Sequence, residues 1–295
     1  MTDFNPSTLS SLWQNAHTQQ WPQGTLYVVA TPIGNVADIS IRALYALQLV
    51  DAIACEDTRH SKPLLAQYGI SKPLIAVHDH NESDVAASLI ARLQLGERIA
   101  LITDAGTPAI SDPGSRVVAA AHEAGIRVMP IAGASAAVAA MSAAGLDGGF
   151  QFIGFLPNKS AARLSTLQRL GSAQTHLVFY EAPHRLHDTI TDMARSFPSR
   201  CLILAKELSK LHENIQILDL SAIDSWLANA PAPRGEYVLI LSAPAVEVSD
   251  SVPEWHNTLT TLLTELPLKQ AVALTVKLSG ASKNTVYATA LSLKL

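Results

Sequence analysis

Between residues 26 and 144 the chain alternates short apolar runs with stretches of helical spacing, and this alternation narrows the choice of fold sharply. The runs at 26–30, 52–55, 74–77, 98–102 and 126–130 have the length and apolar content of strands buried in a parallel sheet. Between them lie helical patterns. One starts after Asp38 as N-cap, with Ile41, Leu44, Leu47 and Gln48 at helical spacing, and others cover 62–68, 85–95 and 134–144. Strand, loop and helix in repetition predict an α/β fold: a mostly parallel sheet with helices on both faces. The second half repeats α/β elements, with strands at 175–180, 201–205, 213–218 and 237–241 in pairs close enough to be antiparallel. The expected organisation is a flexible extension at 1–23, an α/β domain at 24–145, a second at 146–245, and a helical segment at 253–295 behind a Pro-containing linker at 243–252.

Composition removes several classes. With 48% hydrophobic and 16% charged residues the chain has the content of a globular protein rather than a disordered one. Its apolar runs are short and broken by Gly, Pro or charge, so no membrane span and no signal peptide are expected, and the place of action is read as cytoplasmic. Cys55 and Cys201 both lie in strand-like runs and read as buried thiols of a reducing compartment. A net charge of −4 argues against a nonspecific nucleic-acid coat, but it is unevenly spread. Lys269, Lys277, Lys283 and Lys294 occupy residues 266–295 without a single acid.

The chemistry sits in the loops. Each presumed strand of the first half ends in polar or conformationally special residues: Thr31 to Asn35, Glu56 to His60, His78 to Asn81, Thr103 to Gly114, and Ala132 to Ala136. In an open α/β sheet the carboxyl ends of strands are where small ligands bind, so these loops are expected to form one polar cleft. The first lacks the G-x-G-x-x-G spacing of a dinucleotide fold, and the chain has neither a P-loop nor a G-x-S-x-G elbow. His78 and His80, with Glu56 or Asp57, could share a metal ion but lack a defined third ligand, and no metal is expected. In the second half Lys159, Arg163, His184, Arg185 and Lys210 read as phosphate-binding cations beside the cleft.

TPIGN (31–35), EDTR (56–59), HDHN (78–81), TDAGTPAISDPG (103–114), GFLPNK (154–159), FYEAPHR (179–185) and KEL (206–208), in this order and spacing, resemble the bacterial 16S rRNA (cytidine-2′-O)-methyltransferase family. The resemblance runs from about Leu26 to the C-terminus. It implies the two-domain tetrapyrrole-methylase-like fold (a class III methyltransferase) with a small helical C-terminal segment. It further implies S-adenosyl-L-methionine in the cleft, a homodimer, and methyl transfer to the ribose 2′-hydroxyl of a cytidine in the decoding region of 16S rRNA in the small ribosomal subunit. Matching by motif, the cofactor contacts are expected at Gly34, Asp104, Gly106, Thr107, Ile110, Ser135 and Ala136. Two positions depart from the family pattern. The fifth loop lacks its two prolines, and Lys206 stands where an arginine is usual, which removes any bidentate contact.

A ribose hydroxyl is a poor nucleophile until its proton begins to leave, and Glu56, Asp57, His80, Glu181 and Glu207 are the candidate acceptors. Three other readings remain open from the sequence. They are a methyltransferase acting on a tetrapyrrole or another small molecule, a noncatalytic RNA-binding protein, and a metal-dependent hydrolase.

Overall fold

The computed structural model describes residues 6–78, 80–245 and 253–293. They form two compact units, 1–244 and 245–295. The first sheet of the larger unit contains β1 (Thr25–Val29), β2 (Ala52–Cys55), β3 (Leu74–Ala76), β4 (Ile99–Ile102) and β5 (Arg127–Ile131). All pairs are parallel, in the order β3-β2-β4-β1-β5.

The period-two alternation of strand side chains divides this sheet between two cores. Tyr27, Val29, Ile53 and Ile102 face one side, against α2 (Ile41–Leu49) and α3 (Thr58–Gln67). Leu26, Ala54, Ile99 and Leu101 face the other, against α4 (Glu82–Gln94) and α5 (Ser115–Glu123). The chain leaving β4 therefore turns to one face while the chains leaving its neighbours β1 and β2 turn to the opposite face. Such divergence opens a crevice at the carboxyl ends of the strands, and here β4 has one on each side.

The second sheet holds β6 (Phe150–Phe155), β7 (His176–Glu181), β8 (Cys201–Lys206), β9 (Asn214–Asp219) and β10 (Tyr237–Leu241), in the order β6-β7-β10-β8-β9. The β7, β8, β9 and β10 pairings are antiparallel, as the close spacing of the runs implied, while β6 pairs with β7 in parallel. One face is covered by α7 (Ser160–Arg169), α8 (Leu186–Ser196) and α9 (Ile223–Asn229). The other receives α6 (Ala136–Ala143), whose Ala137 and Ala140 pack on Val178, Ile203 and Ile240. The helix that follows the first sheet thus builds the core of the second.

The smaller unit has its own core. Leu259 of α10 (Glu254–Glu265), Ala271 and Val272 of α11 (Leu268–Ser279), and Val286 and Ala290 of α12 (Lys283–Ser292) are buried together. Pro267 separates the first two helices, and Gly280 ends α11 in a left-handed conformation.

Several sequence expectations need correction. Within the presumed flexible extension, residues 6–17 form a helix, α1 (Pro6–His17), that lies on α2. The contacts are aromatic: Trp13 of α1 and Trp21, just beyond its end, stand 5.3 and 5.2 Å from the Tyr45 ring, and Trp21 is buried. Ser40, not Asp38, caps α2, accepting the Ala43 amide. Cys201 is exposed, whereas Cys55 is buried.

Candidate active site

One crevice of β4 opens toward the second sheet as a cavity of about 330 Å³. The loop after β1 contributes Ile33, and the loop after β4 contributes Gly106, Thr107 and Ile110. Ser135 and Ala136 come from the start of α6, Glu181 and Val238 from the second sheet, and Leu208 from the loop after β8. Polar stitches hold these walls. Thr31 and Gly106 exchange backbone hydrogen bonds of 2.9 and 3.1 Å, and the Thr31 hydroxyl donates to the Thr103 carbonyl at 3.0 Å. The Thr107 hydroxyl donates to Ala134 O at 3.1 Å, tying the β4 loop to the β5 loop. Tyr180 Oη accepts the Ala137 amide at 3.3 Å, and burial, aided by the charge of Asp112, pushes its phenol up.

Backbone strain gathers at this cavity. Among the described residues, positive φ outside glycine occurs at Ala109, Ser111, Glu207 and Ser209, in the two loops that border it. Close approach explains Gly133, where a Cβ would come within 2.8 Å of the Ala30 Cβ.

The β4 loop is also anchored from behind. The buried carboxylate of Glu82 in α4 accepts the amides of Gly114, Arg116 and Val117 at 3.0, 2.7 and 3.3 Å. It satisfies the free N–H groups at the start of α5, a task no side chain of the loop performs. No local pattern marks this role, because the cap is 32 residues away from Gly114.

On the other side of β4 lies a polar depression of about 370 Å³, lined by Glu56, Asp57, Arg59, His60, His78 and Asp104 among others. His60 Nδ1 is 3.0 Å from Asp104 Oδ2 and 3.8 Å from Asp57 Oδ2. Thr103 Oγ1 donates to Glu56 Oε2 at 2.9 Å. Hydrogen bonds from the Arg59 side chain and amide hold the Asp57 carboxyl down at about 2. The sequence reading treated 56–60 as loop. Asp57 is instead the N-cap of α3, which turns Arg59 and His60 into its first helical turn.

Of the expected cofactor residues, Gly106, Thr107, Ile110, Ser135 and Ala136 line the cavity. Asp104 and Gly34 do not. Asp104 belongs to the second depression, and Gly34 is covered by the Lys210 stem, which a Cβ there would meet at 2.5 Å.

The acceptor candidates separate in the same way. Glu56 and Asp57 line the depression, and Glu181 lines the cavity. Glu181 is fully engaged, accepting Thr189 Oγ1 at 2.6 Å and the Ala182 amide at 2.8 Å, with the Arg185 guanidinium 3.1 Å away. Partial burial pushes the Glu207 carboxyl up, but the Glu236 amide and the Lys210 ammonium outweigh it, and the net shift is downward. Exposed His80 lies outside both linings, with its ring 6.1 Å from that of His78, and Asp79 between them lies outside the described residues.

The cation set is only partly a surface. Lys159 and His184 are exposed. Arg163 is not: it is buried against Asp192 at 2.7 Å, and no phosphate can reach it. The Arg185 side chain is 14% exposed and spends its donors on Glu181, Asn158 and the Leu156 carbonyl. Lys210 bridges Glu207 and Glu236 at 3.0 and 2.9 Å. Lys294 lies outside the described residues.

The family model of tetrapyrrole (corrin/porphyrin) methylases matches residues 25–224, and that of the RsmI C-terminal HTH domain matches 249–294. The chain is 49% identical to ribosomal RNA small subunit methyltransferase I of Pseudomonas aeruginosa, over 91% of this chain and 97% of that one. It is 46% identical to the protein of that name from Escherichia coli O157:H7, over 91% and 95%. Among solved structures, diphthine synthase superposes with a TM-score of 0.57 at 15% identity, covering 74% of this chain and 90% of that one. A uroporphyrin-III C-methyltransferase from Thermus thermophilus, complexed with S-adenyl homocysteine, gives 0.52 at 16%, covering 74% and 97%. These two likenesses concern the fold. The tetrapyrrole-methylase architecture, the C-terminal match and near-half identity over nine-tenths of its length make this chain a member of the ribosomal RNA small subunit methyltransferase I family.

Proposed function

We propose that this protein methylates 16S rRNA in the small ribosomal subunit, using S-adenosyl-L-methionine and acting on the ribose 2′-hydroxyl of a cytidine in the decoding region. The observation that carries the reading is the chemistry of the cavity. Its walls are largely apolar, with Ile33, Ile110, Ala205, Leu208 and Val238, yet Asp112 brings a carboxylate to it, beside those of Glu181 and Glu236, which are paired with Arg185 and Lys210. Apolar walls suit an adenosyl group, and carboxylates suit a cation. A sulfonium compound presents both, so the residues present fit this cofactor. When bound, it supplies a methyl group activated toward displacement by a nucleophile.

The chain's own residues then have three tasks. Ile33, Ile110, Ala136 and Leu208 would enclose the apolar part and exclude water. Thr107 and Ser135 offer hydroxyls to its polar end. The anchored β4 loop keeps these groups in one arrangement, the positional precision that an in-line transfer requires. RNA binding falls to exposed cations such as Lys159 and Arg59 and to Lys269, Lys277 and Lys283 of the C-terminal unit. A homodimer acting in the cytoplasm completes the reading, supported by the family resemblance.

Filling the cavity tests the cofactor site. Ala136→Leu adds three carbons to its wall and is expected to weaken S-adenosylmethionine binding at least tenfold by calorimetry, about 1.4 kcal/mol. Unchanged affinity would place the cofactor elsewhere.

A further inference from the structure

We infer that His60 is the catalytic base of this reaction and that Asp104 is the residue that positions it, an assignment that rests on the ribose-methylation reading. His60 Nδ1 lies 3.0 Å from Asp104 Oδ2. A carboxylate only accepts, so Nδ1 carries the ring proton of the neutral imidazole and Nε2 is left with its lone pair free. The His60 side chain is 73% exposed, and no described residue bonds Nε2. A free acceptor nitrogen held by a carboxylate behind it is the arrangement that activates a hydroxyl nucleophile.

Position supports the assignment. Asp104 is joined directly to Ala105 and Gly106, which line the proposed cofactor cavity. The imidazole lines the polar depression that this loop also borders, so a ribose seated at the loop's edge meets Nε2 on one side and the cofactor cavity on the other. Asp104 Oδ1 is buried without a hydrogen-bond partner among the described residues, an acceptor still to be satisfied and a mark of a site that takes a ligand.

The other groups around His60 are poorer acceptors. Glu56 is held by the Thr103 hydroxyl, and Asp57 is held by Arg59 and is therefore a weak base. His78 also lines the depression, and exposed Arg59 offers a cation for the phosphate beside the target ribose.

In the step itself the 2′-hydroxyl gives its proton to His60 Nε2 as its oxygen forms a bond to the methyl carbon. The carbon–sulfur bond breaks, its electron pair stays on sulfur, and the sulfonium becomes a neutral thioether. The imidazolium, balanced by Asp104, returns its proton to water.

The experiment uses the full-length protein and small subunits from cells lacking this modification. Relative to the unaltered protein, His60→Ala is expected to lower single-turnover methyl transfer roughly 100-fold or more, with S-adenosylmethionine affinity within about twofold. Free imidazole should restore part of that rate while leaving the unaltered protein unaffected. Asp104→Ala should lower kcat with little change in KM. In ¹⁵N NMR the His60 ring should change from the Nδ1–H tautomer to a mixture in this variant. A rate for His60→Ala within about threefold of the unaltered protein, or a loss that imidazole leaves untouched, overturns the assignment alone. Absence of transfer by the unaltered protein overturns the functional reading and this assignment with it.

Discussion

Single residues show most directly how far charge type misleads without burial. Arg163 and Lys159 looked equivalent as phosphate ligands, yet only Lys159 reaches solvent, because Arg163 is turned inward to Asp192. Breaking a buried pair by removing one partner leaves the other charge uncompensated. Arg163→Ala is therefore expected to cost about 3–5 kcal/mol in urea unfolding. The salt dependence of RNA binding by the folded variant should stay unchanged, and a reduced salt slope would restore Arg163 to the RNA surface. Glu82 makes the complementary case. Its carboxylate serves amides at the start of α5, so Glu82→Ala should destabilise the fold by about 2–3 kcal/mol, with Glu82→Gln losing less. Equal stability of all three proteins would mean the cap carries no weight. Gly106, Thr107, Ser135 and Ala136 share one cavity because their loops leave neighbouring strand ends, which the alternation foreshadowed, whereas the choice of these residues as cofactor contacts came from the family resemblance. His60 directly follows the EDTR motif but was unreadable as an acceptor, since its partner Asp104 is 44 residues away.

At the scale of elements, the apolar runs of the first half located every strand of the first sheet to within a residue or two, because parallel strands bury both faces. β6 escaped that logic. Its pairing with β7 shifts register between Phe152 and Gly154, where φ is +76°, so the alternation is interrupted within the strand. α1 escaped for a different reason. Its attachment rests on a few aromatic and small residues in an otherwise polar stretch, so its apolar content is low while burial of Trp21 is nearly complete. Trp21→Ala removes ring contacts with Tyr27 and Tyr45 and a hydrogen bond from Nε1 to the Ala16 carbonyl. A loss of about 3–5 kcal/mol by chemical denaturation is expected, and a loss under about 1 kcal/mol would mean α1 is only loosely held. α6 explains why the two α/β halves form one unit: a helix of small residues following the first sheet lets its backbone settle closely on the second.

For the molecule as a whole, the strand order decides where chemistry can occur. β4 lies at the middle of its sheet and sends its chain to the opposite face from both neighbours, which puts a crevice on either side of one loop. One crevice holds the proposed cofactor cavity and the other a histidine–carboxylate pair, and the loop from Asp104 to Thr107 borders both. The sequence foretold a single cleft, because it shows which loops share an edge but not which way each turns. The central claim is methyl transfer to a ribose oxygen bound at the edge of that loop. It is tested most directly by incubating the protein with methyl-labelled S-adenosylmethionine and small subunits lacking the modification, then mapping the label to nucleotide and atom. The account predicts label on the 2′-oxygen of a decoding-region cytidine in 16S rRNA. Label on a base carbon or nitrogen, or on a small-molecule acceptor alone, would contradict it.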